Sequence, residues 1–248
     1  MLQNFESLVL IWLGIGFITF ITLLKIPAPY GKFSKTNWGP MIPSKLGWIV
    51  MEIISPLALL YFFLNGNIEK TPTNITFVSL WTLHYFNRSV IYPLRQNNPA
   101  QMPLLIAVLA FLFNVMNGYI NGTYFGSIQE YSAEYMSNWN FIVGVCLFII
   151  GAYINIKSDN ILLSLRSKSG EYKIPEGFMF RYVSFPNYLG EILEWMAFAL
   201  MTWSLAGLSF MIWTMANLVP RAIKGHQWYH DKFDSYPKNR KAIFPFII

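Results

Sequence analysis

Five ionisable side chains stand inside apolar stretches of the sequence, where a charge is costly. They are Glu52, His84, Arg88, Glu191 and Glu194. Lipid gives such groups no hydration, so those found at membrane depth are rare and usually functional. This favours a catalytic or substrate-binding role for Glu52. A buried structural ion pair with Arg88 is the alternative that the sequence leaves open.

Helical spacing adds further polar residues to this set, because residues three, four or seven apart share one face of a helix. Three such groups occur: Tyr85, Arg88 and Tyr92; Asn155 and Asp159; and Asn187, Glu191 and Glu194. The tyrosines could instead be interface aromatics, and Glu194 could serve helix pairing. We predict a polar cavity that opens to the cytoplasm and is lined by Glu52, Tyr85, Arg88, Asn155, Asp159, Asn187 and Glu191.

Basic residues near the predicted cytoplasmic side have the charge to hold a phosphorylated ligand. They are Arg166, Lys173, Arg221 and Arg240. Together with the polar cavity they fit an enzyme that joins a lipid-soluble substrate to a charged cofactor. They also fit a transporter for an anion, and the residues alone leave both classes open.

The elements that position these residues are predicted to be membrane helices. The chain has 248 residues, of which 54% are hydrophobic and only 12% are charged. A soluble domain carries about 25% charged residues, so too few remain here to cover a surface that faces water. Long apolar runs agree with lipid as the solvent. The fold class is therefore predicted to be an all-α integral membrane bundle.

Seven apolar stretches are candidate spans, with a turn at Ser204–Gly207 between the last two. They are Ser7–Leu24, Leu46–Leu64, Ile75–Leu94, Pro103–Ile120, Trp139–Ile156, Tyr188–Trp203 and Leu205–Val219. An excess of Lys and Arg alternates from one connector to the next, and such an excess favours the cytoplasmic side. Seven transmembrane helices follow, with the N-terminus outside and the C-terminus cytoplasmic. We predict one membrane domain over 1–248, with cytoplasmic ligand-gripping segments at about 157–187 and 220–248.

Several other classes of site have little support. Cys146 is the only cysteine, which excludes an intrachain disulfide and a Cys-based metal site, and we expect it to pack against other helices. His226 and His230 have metal-ligand spacing without an evident third ligand, so no metal site is predicted. No basic tract interleaved with stacking aromatics stands on a soluble module, which argues against nucleic-acid binding.

Four ordered blocks of the sequence resemble the steroid 5α-reductase family. The blocks are Leu83–Arg88, Gly151–Asp159, Asn187–Trp195 and Tyr236–Phe246. The resemblance covers roughly Tyr30 to Ile248, and four blocks with matching spacing are specific to the family. The last block alone is also similar to sterol reductases and membrane methyltransferases.

The resemblance implies a seven-helix reductase that uses NADPH to reduce the C4–C5 double bond of a 3-oxo-Δ4 steroid. Glu52 and Tyr85 match the family pair that contacts the 3-keto oxygen. Positions similar to the family's cofactor-binding set are Asn155, Asp159, Arg166, Tyr172, Asn187, Glu191, Arg221 and Tyr229, and we expect Lys173 and His226 to bind NADPH with them. Met51 and Gly225 depart from residues common in relatives, which affects the expected substrate preference only.

The chemistry of that reaction requires such residue types. Hydride addition to an enone moves negative charge onto the carbonyl oxygen, and donors aimed at that oxygen stabilise it. A carboxyl in a low-dielectric cavity tends to stay protonated, so Glu52 can donate beside Tyr85. A related reductase of polyprenal or enoyl lipids is the runner-up, and a membrane transporter or receptor is the alternative of another class. The expected partners are a steroid-like substrate and membrane lipids, without an obligate protein partner, in the endoplasmic reticulum or a bacterial cytoplasmic membrane.

Overall fold

The computed structural model describes residues 2–96, 100–165 and 171–248. Helices dominate it, and each predicted apolar stretch is helical over most of its length. The α-helices are α1 (Leu2–Lys25), α2 (Ser44–Leu64), α3 (Pro72–Phe86), α4 (Tyr92–Leu94), α5 (Leu104–Thr123), α6 (Trp139–Leu165), α7 (Pro186–Thr202) and α8 (Leu205–Lys232). Two π-helical segments, Asn87–Ile91 and Tyr124–Ile128, continue α3 and α5. Short antiparallel strands β1 (Met41–Pro43) and β2 (Gln101–Pro103) pair immediately ahead of α2 and α5.

Four of the described helical segments are long and apolar enough to cross a membrane. They are Leu2–Lys25, Ser44–Leu64, Leu104–Ile128 and Trp139–Leu165. These spans indicate a multi-pass integral membrane protein. The count of seven spans and the orientation of the termini stay predictions.

The turn between α7 and α8 lies slightly earlier than predicted. Trp203 takes a left-handed conformation with φ 46°, which ends α7. The Ser204 hydroxyl then accepts a hydrogen bond of 2.9 Å from the Gly207 N–H and caps α8. Because this cap starts α8 at Leu205, the turn comprises only Trp203 and Ser204, and the predicted turn at Ser204–Gly207 is wrong. The helix also runs past the predicted end at Val219, through Pro220, to Lys232.

The described chain divides into two compact units. One comprises Met1–Val9 with Ala28–Ile142, and the other comprises Leu10–Pro27 with Val143–Ile248. Each unit contains one group of the predicted site residues: Glu52 and Tyr85 in the first, and the cofactor-binding set in the second. A single reductase domain stays a prediction.

In the first unit, glycines of α5 allow a close approach to α2. A Cβ atom on Gly118 would lie 2.6 Å from the Cβ of Ala58, and one on Gly122 would lie 2.5 Å from the backbone oxygen of Leu59. Both distances are too short for real Cβ contacts, so only glycine fits. Small residues four apart are the usual means by which membrane helices pack closely. This packing fixes the face of α5 that carries Asn114, one turn before Gly118.

In the second unit, α6 and α7 cross at another pair of glycines. A Cβ atom on Gly151 would lie 2.7 Å from the Gly190 oxygen, and one on Gly190 would lie 2.5 Å from the Asn155 nitrogen. Gly151 also lies against the backbone nitrogen of the buried Glu194. The helix-pairing role for the Glu194 side chain stays a prediction. The crossing brings the polar residues of α6 and α7 to one place.

The expectation that Cys146 packs against other helices is wrong. Its side chain is exposed on α6. The apolar run around it is compatible with a surface that faces lipid, because apolar side chains are not exposed to water there.

Candidate active site

Tyr85 is held in the core of the first unit. Its ring is 4% exposed and stacks on Trp81, with ring centroids 5.6 Å apart and an angle of 26° between the planes. The indole N–H of Trp81 donates a hydrogen bond of 3.1 Å to the Ser55 hydroxyl on α2. These contacts hold the tyrosine ring against α2, so its hydroxyl has a defined position.

The Tyr85 hydroxyl is bonded to an amide that sequence reasoning missed. It donates to Oδ1 of Asn114 over 3.1 Å, and Nδ2 of Asn114 donates to the backbone oxygen of Met51 over 2.6 Å. The available signal was a stripe of asparagines in an otherwise apolar helix, Asn114, Asn117 and Asn121, at helical spacing. Buried amides in a membrane helix are expensive unless they are bonded.

Glu52 directly follows Met51 on α2 and is half-buried. Pro56 lies four residues further on inside the same helix. Proline has no N–H, so it cannot donate the usual helical bond to the Glu52 carbonyl, and its ring disturbs the helix there. Through its two hydrogen bonds, Asn114 links the Tyr85 hydroxyl to the peptide group that joins Met51 to Glu52.

Arg88 lies in the π-helical turn after α3, so its phase differs from the simple helical face that was predicted for Tyr85, Arg88 and Tyr92. Its guanidinium lies over the rings of Trp48 and Tyr92, 5.2 and 4.9 Å from their centroids. Cation–π contacts of this kind give Arg88 a packing role. Pairing of Arg88 with Glu52 stays a prediction.

In the second unit, three of the predicted cofactor residues form a hydrogen-bonded cluster. The Asn155 side chain donates to the backbone oxygen of Asn187 over 2.9 Å, and Nδ2 of Asn187 donates to Oδ1 of Asp159 over 3.0 Å. All three side chains are buried. Both bonds tie α6 to the start of α7, so the cluster is positioned by the glycine crossing.

This cluster has unused capacity for a polar ligand. Among the described residues, no hydrogen-bond partner is found for the buried Oδ1 of Asn187 or for the buried hydroxyl of Ser158 beside Asp159. An orphaned buried acceptor costs about 1–3 kcal/mol, so a ligand that donates to it gains that amount back. Ribose hydroxyls and the carboxamide of a nicotinamide are donors of this kind. The orphaned acceptor and hydroxyl can therefore bind a dinucleotide cofactor, as they can other polar ligands.

Glu191 and Arg221 lie near this cluster. Glu191 is near it in the chain, and Arg221 is bonded to Tyr188, the residue after Asn187. Glu191 is half-buried on α7, one turn after Asn187. Arg221 on α8 donates from Nε to the Tyr188 hydroxyl over 2.9 Å. Tyr188 in turn stacks on Phe185, with centroids 5.1 Å apart. Tyr188 thereby braces the arginine side chain.

His226 is positioned by a serine and the C-terminal segment. The Ser184 hydroxyl lies 2.6 Å from Nδ1 of His226 and 2.6 Å from the Tyr236 hydroxyl. Partial burial, followed by the positive charges of His230, Arg240 and Lys241, lowers the pKa of His226 to about 4. The imidazole is therefore neutral near neutral pH, with its Nδ1 turned toward Ser184.

The other predicted cofactor residues are more scattered. Tyr229 is buried and stacks on Tyr236, with centroids 5.1 Å apart, so it belongs to the packing of α8 on the C-terminal segment. Tyr172 is 41% exposed and meets Trp228 edge to face, and Lys173 is exposed. Arg166 lies outside the described residues. Binding of NADPH by these residues stays a prediction.

Known proteins match the chain along most of its length. A family model described as 3-oxo-5-alpha-steroid 4-dehydrogenase matches residues 100–248. Steroid 5-alpha-reductase DET2 of Gossypium hirsutum is 43% identical over 92% of this chain and 92% of its own. The 3-oxo-5-alpha-steroid 4-dehydrogenase 1 proteins of Rattus norvegicus and Homo sapiens are 37% and 34% identical over 94% of this chain, and 91% and 92% of theirs. The predicted resemblance is confirmed.

Proposed function

Because the chain belongs to the 3-oxo-5-alpha-steroid 4-dehydrogenase family of oxidoreductases, we propose that it reduces the C4–C5 double bond of 3-oxo-Δ4 steroids to 5α-steroids, with NADPH as cofactor. The observation that carries the proposal is the buried Tyr85 hydroxyl, bonded through Asn114 to the peptide group beside Glu52. In this proposal the Tyr85 hydroxyl and the Glu52 carboxyl are the two donors that the carbonyl of an enone requires.

The chain's own residues act on the steroid carbonyl. Negative charge develops on the C3 oxygen as C5 is reduced, and Glu52 and Tyr85 stabilise it by donating hydrogen bonds. In this proposal Glu52 acts as a neutral carboxylic acid, so that it donates a hydrogen bond rather than repelling the developing charge. The resulting enolate then takes up a proton from solvent water at C4, which completes the addition of hydride and proton across the double bond. Donation is strongest when the charge is greatest, so these bonds accelerate the reaction more than they tighten substrate binding.

The cofactor set in the second unit would hold NADPH. Asn155, Asp159 and Asn187 supply amide and carboxylate groups, and Arg221 supplies charge for a phosphate. When bound, NADPH supplies the hydride that reaches C5, and the protein supplies position and electrostatics. The orphaned Oδ1 of Asn187 supports this assignment.

The proposal is tested with the full chain purified in detergent or nanodiscs. NADPH consumption and product mass are followed with a progesterone-like enone, a polyprenal and an enoyl thioester. We expect reduction of the steroid to the 5α product, with little turnover of the other two. Reduction of the polyprenal or the thioester without the steroid would replace the proposal by the related lipid reductase. Absence of any NADPH-dependent reduction would refute both.

Arg221→Ala is expected to weaken NADPH binding by about 1.5–3 kcal/mol, the contribution of a hydrogen bond to a charged group. Titration of NADPH against the purified variant measures it. Tyr188→Phe removes only the brace of Arg221, and Lys224→Ala removes a different positive charge of α8. Both should change the affinity by less than Arg221→Ala. Equal losses in Arg221→Ala and Lys224→Ala would indicate a general charge effect instead of a site.

We also propose seven spans, with the N-terminus outside and the C-terminus cytoplasmic, from the alternation of Lys and Arg between connectors. Tags at the two termini should be reached by impermeant reagents from opposite sides of sealed membranes. Labelling of both tags from one side would require an even number of spans.

A further inference from the structure

We propose that Asn114 is a positioning residue for Tyr85, one that holds the hydroxyl and keeps its hydrogen until charge develops on the substrate. The inference rests on the proposed role of Tyr85 as a donor to the steroid ketone. It is carried by one buried chain of contacts within the first unit: Tyr85 to Asn114, and Asn114 to Met51. Asn114 is 3% exposed, so water does not compete for these bonds.

The direction of both bonds follows from the chemistry of the groups. The backbone oxygen of Met51 can only accept, so the amide must turn its Nδ2 toward it. Oδ1 of Asn114 then faces Tyr85, and because Oδ1 is also only an acceptor, the Tyr85 hydroxyl must be the donor. The phenol has one hydrogen, and in the free protein Asn114 holds it.

The surroundings leave this arrangement little freedom. Asn114 cannot move away from α2, because Gly118, one turn further along α5, is packed against Ala58. Tyr85 cannot swing away, because its ring is stacked on Trp81, which is bonded to Ser55. The amide and the phenol are therefore both fixed to α2, and only the hydroxyl hydrogen can turn.

This gives Asn114 a definite part in the reaction. A neutral amide oxygen is a stronger acceptor than a neutral ketone oxygen, so the bound substrate gains little from Tyr85 at first. A developing enolate oxygen is a much stronger acceptor. The hydrogen then turns from Asn114 to the substrate while it stays covalently bound to the phenol oxygen. Asn114 thus holds the phenol oxygen where that donation can occur, and a donor already in position needs no reorganisation when the charge develops.

The test is a double-mutant cycle of Asn114→Leu with Tyr85→Phe, measured by steroid turnover of the full chain with NADPH. Asn114→Leu should lower kcat by about tenfold without raising KM, because the phenol is then no longer held in position for the charge that develops. In the Tyr85→Phe background the same substitution should change kcat by less than about twofold, because a residue that acts through Tyr85 has nothing left to position. Independent, multiplying effects would overturn the inference. Full turnover by Tyr85→Phe alone would instead refute the role of Tyr85 on which it rests.

Two further variants separate positioning from folding. Asn121→Leu removes an equally buried amide from the same helix, one whose side chain bonds to Asn117 within α5. Its kcat should stay near the wild-type value, and a loss equal to that of Asn114→Leu would overturn the inference. Asn114→Asp should recover activity relative to wild type as the pH falls, because a protonated carboxyl can donate to Met51 and accept from Tyr85 as the amide does. A flat ratio across pH in a folded Asn114→Asp protein would count against it.

Discussion

Glu52→Ala and Tyr85→Phe are each expected to lower steroid turnover by about 10²–10³-fold, the loss seen when one donor to a developing oxyanion is removed. NADPH should still bind, because the predicted cofactor residues lie elsewhere in the chain. The steroid KM should change less than kcat, since these donors act mainly on charge that exists only in the transition state.

Conservative variants refine the expectation. Glu52→Gln keeps an N–H donor and should retain part of the activity, whereas an essential base would be lost completely in that variant. Tyr61→Phe is a control for the loss of a phenol hydroxyl, because Tyr61 is on the same α2 helix as Glu52 but is 62% exposed. It should turn over steroid at the wild-type rate.

Thermal stability separates catalysis from structure. If Glu52 instead pairs with Arg88, Glu52→Ala leaves a buried charge unpaired and should unfold at a clearly lower temperature. A stable Glu52→Ala protein that binds NADPH but does not reduce steroid supports the catalytic role. A stable, cofactor-binding Glu52→Ala protein with near-normal steroid reduction defeats it.

The helices could be predicted from the sequence because an apolar run of membrane length has one simple solution, a helix that satisfies its own backbone. The polar network could be predicted only in part. Glu52 and Tyr85 stand out as polar groups in apolar surroundings. The asparagine stripe that contains Asn114 also stands out, but its bonds could not be predicted, since its two partners are far away in the chain and its role depends on how α5 meets α2.

The cluster of Asn155, Asp159 and Asn187 could likewise be predicted only in part. Helical spacing placed Asn155 and Asp159 on one face, and the structure brings that face to Asn187 by a crossing of glycines that spacing does not encode. The π-helical turn at Asn87–Ile91 is a further example. A face drawn with 3.6 residues per turn assumes a regular helix, and a wider turn changes the phase of every residue beyond it.

Gly122→Ala is expected to destabilise the protein by about 1–3 kcal/mol, and Gly122→Leu to prevent normal folding, because overpacking of a tight interface forces the backbones apart. The new Cβ would lie 2.5 Å from the backbone oxygen of Leu59 and 3.1 Å from its Cα. Neither atom can move without moving α2. Thermal unfolding and the yield of monodisperse protein measure the effect.

Two comparisons make the cause specific. Gly14→Ala adds the same methyl group to a helix glycine with nothing within 4 Å, so it should be neutral or stabilise by up to about 1 kcal/mol through helix propensity. Gly118→Ala should destabilise, and adding Ala58→Gly should restore part of the loss, because the nearest obstruction is the Ala58 methyl at 2.6 Å. The restoration is incomplete because backbone atoms of Ser55 and Leu59 remain at 2.9 Å.

Equal stability of Gly14→Ala and Gly122→Ala would show that α2 and α5 do not depend on this close approach. Steroid turnover should fall with stability in the Gly122 variants, since separation of α5 from α2 also withdraws Asn114 from Met51.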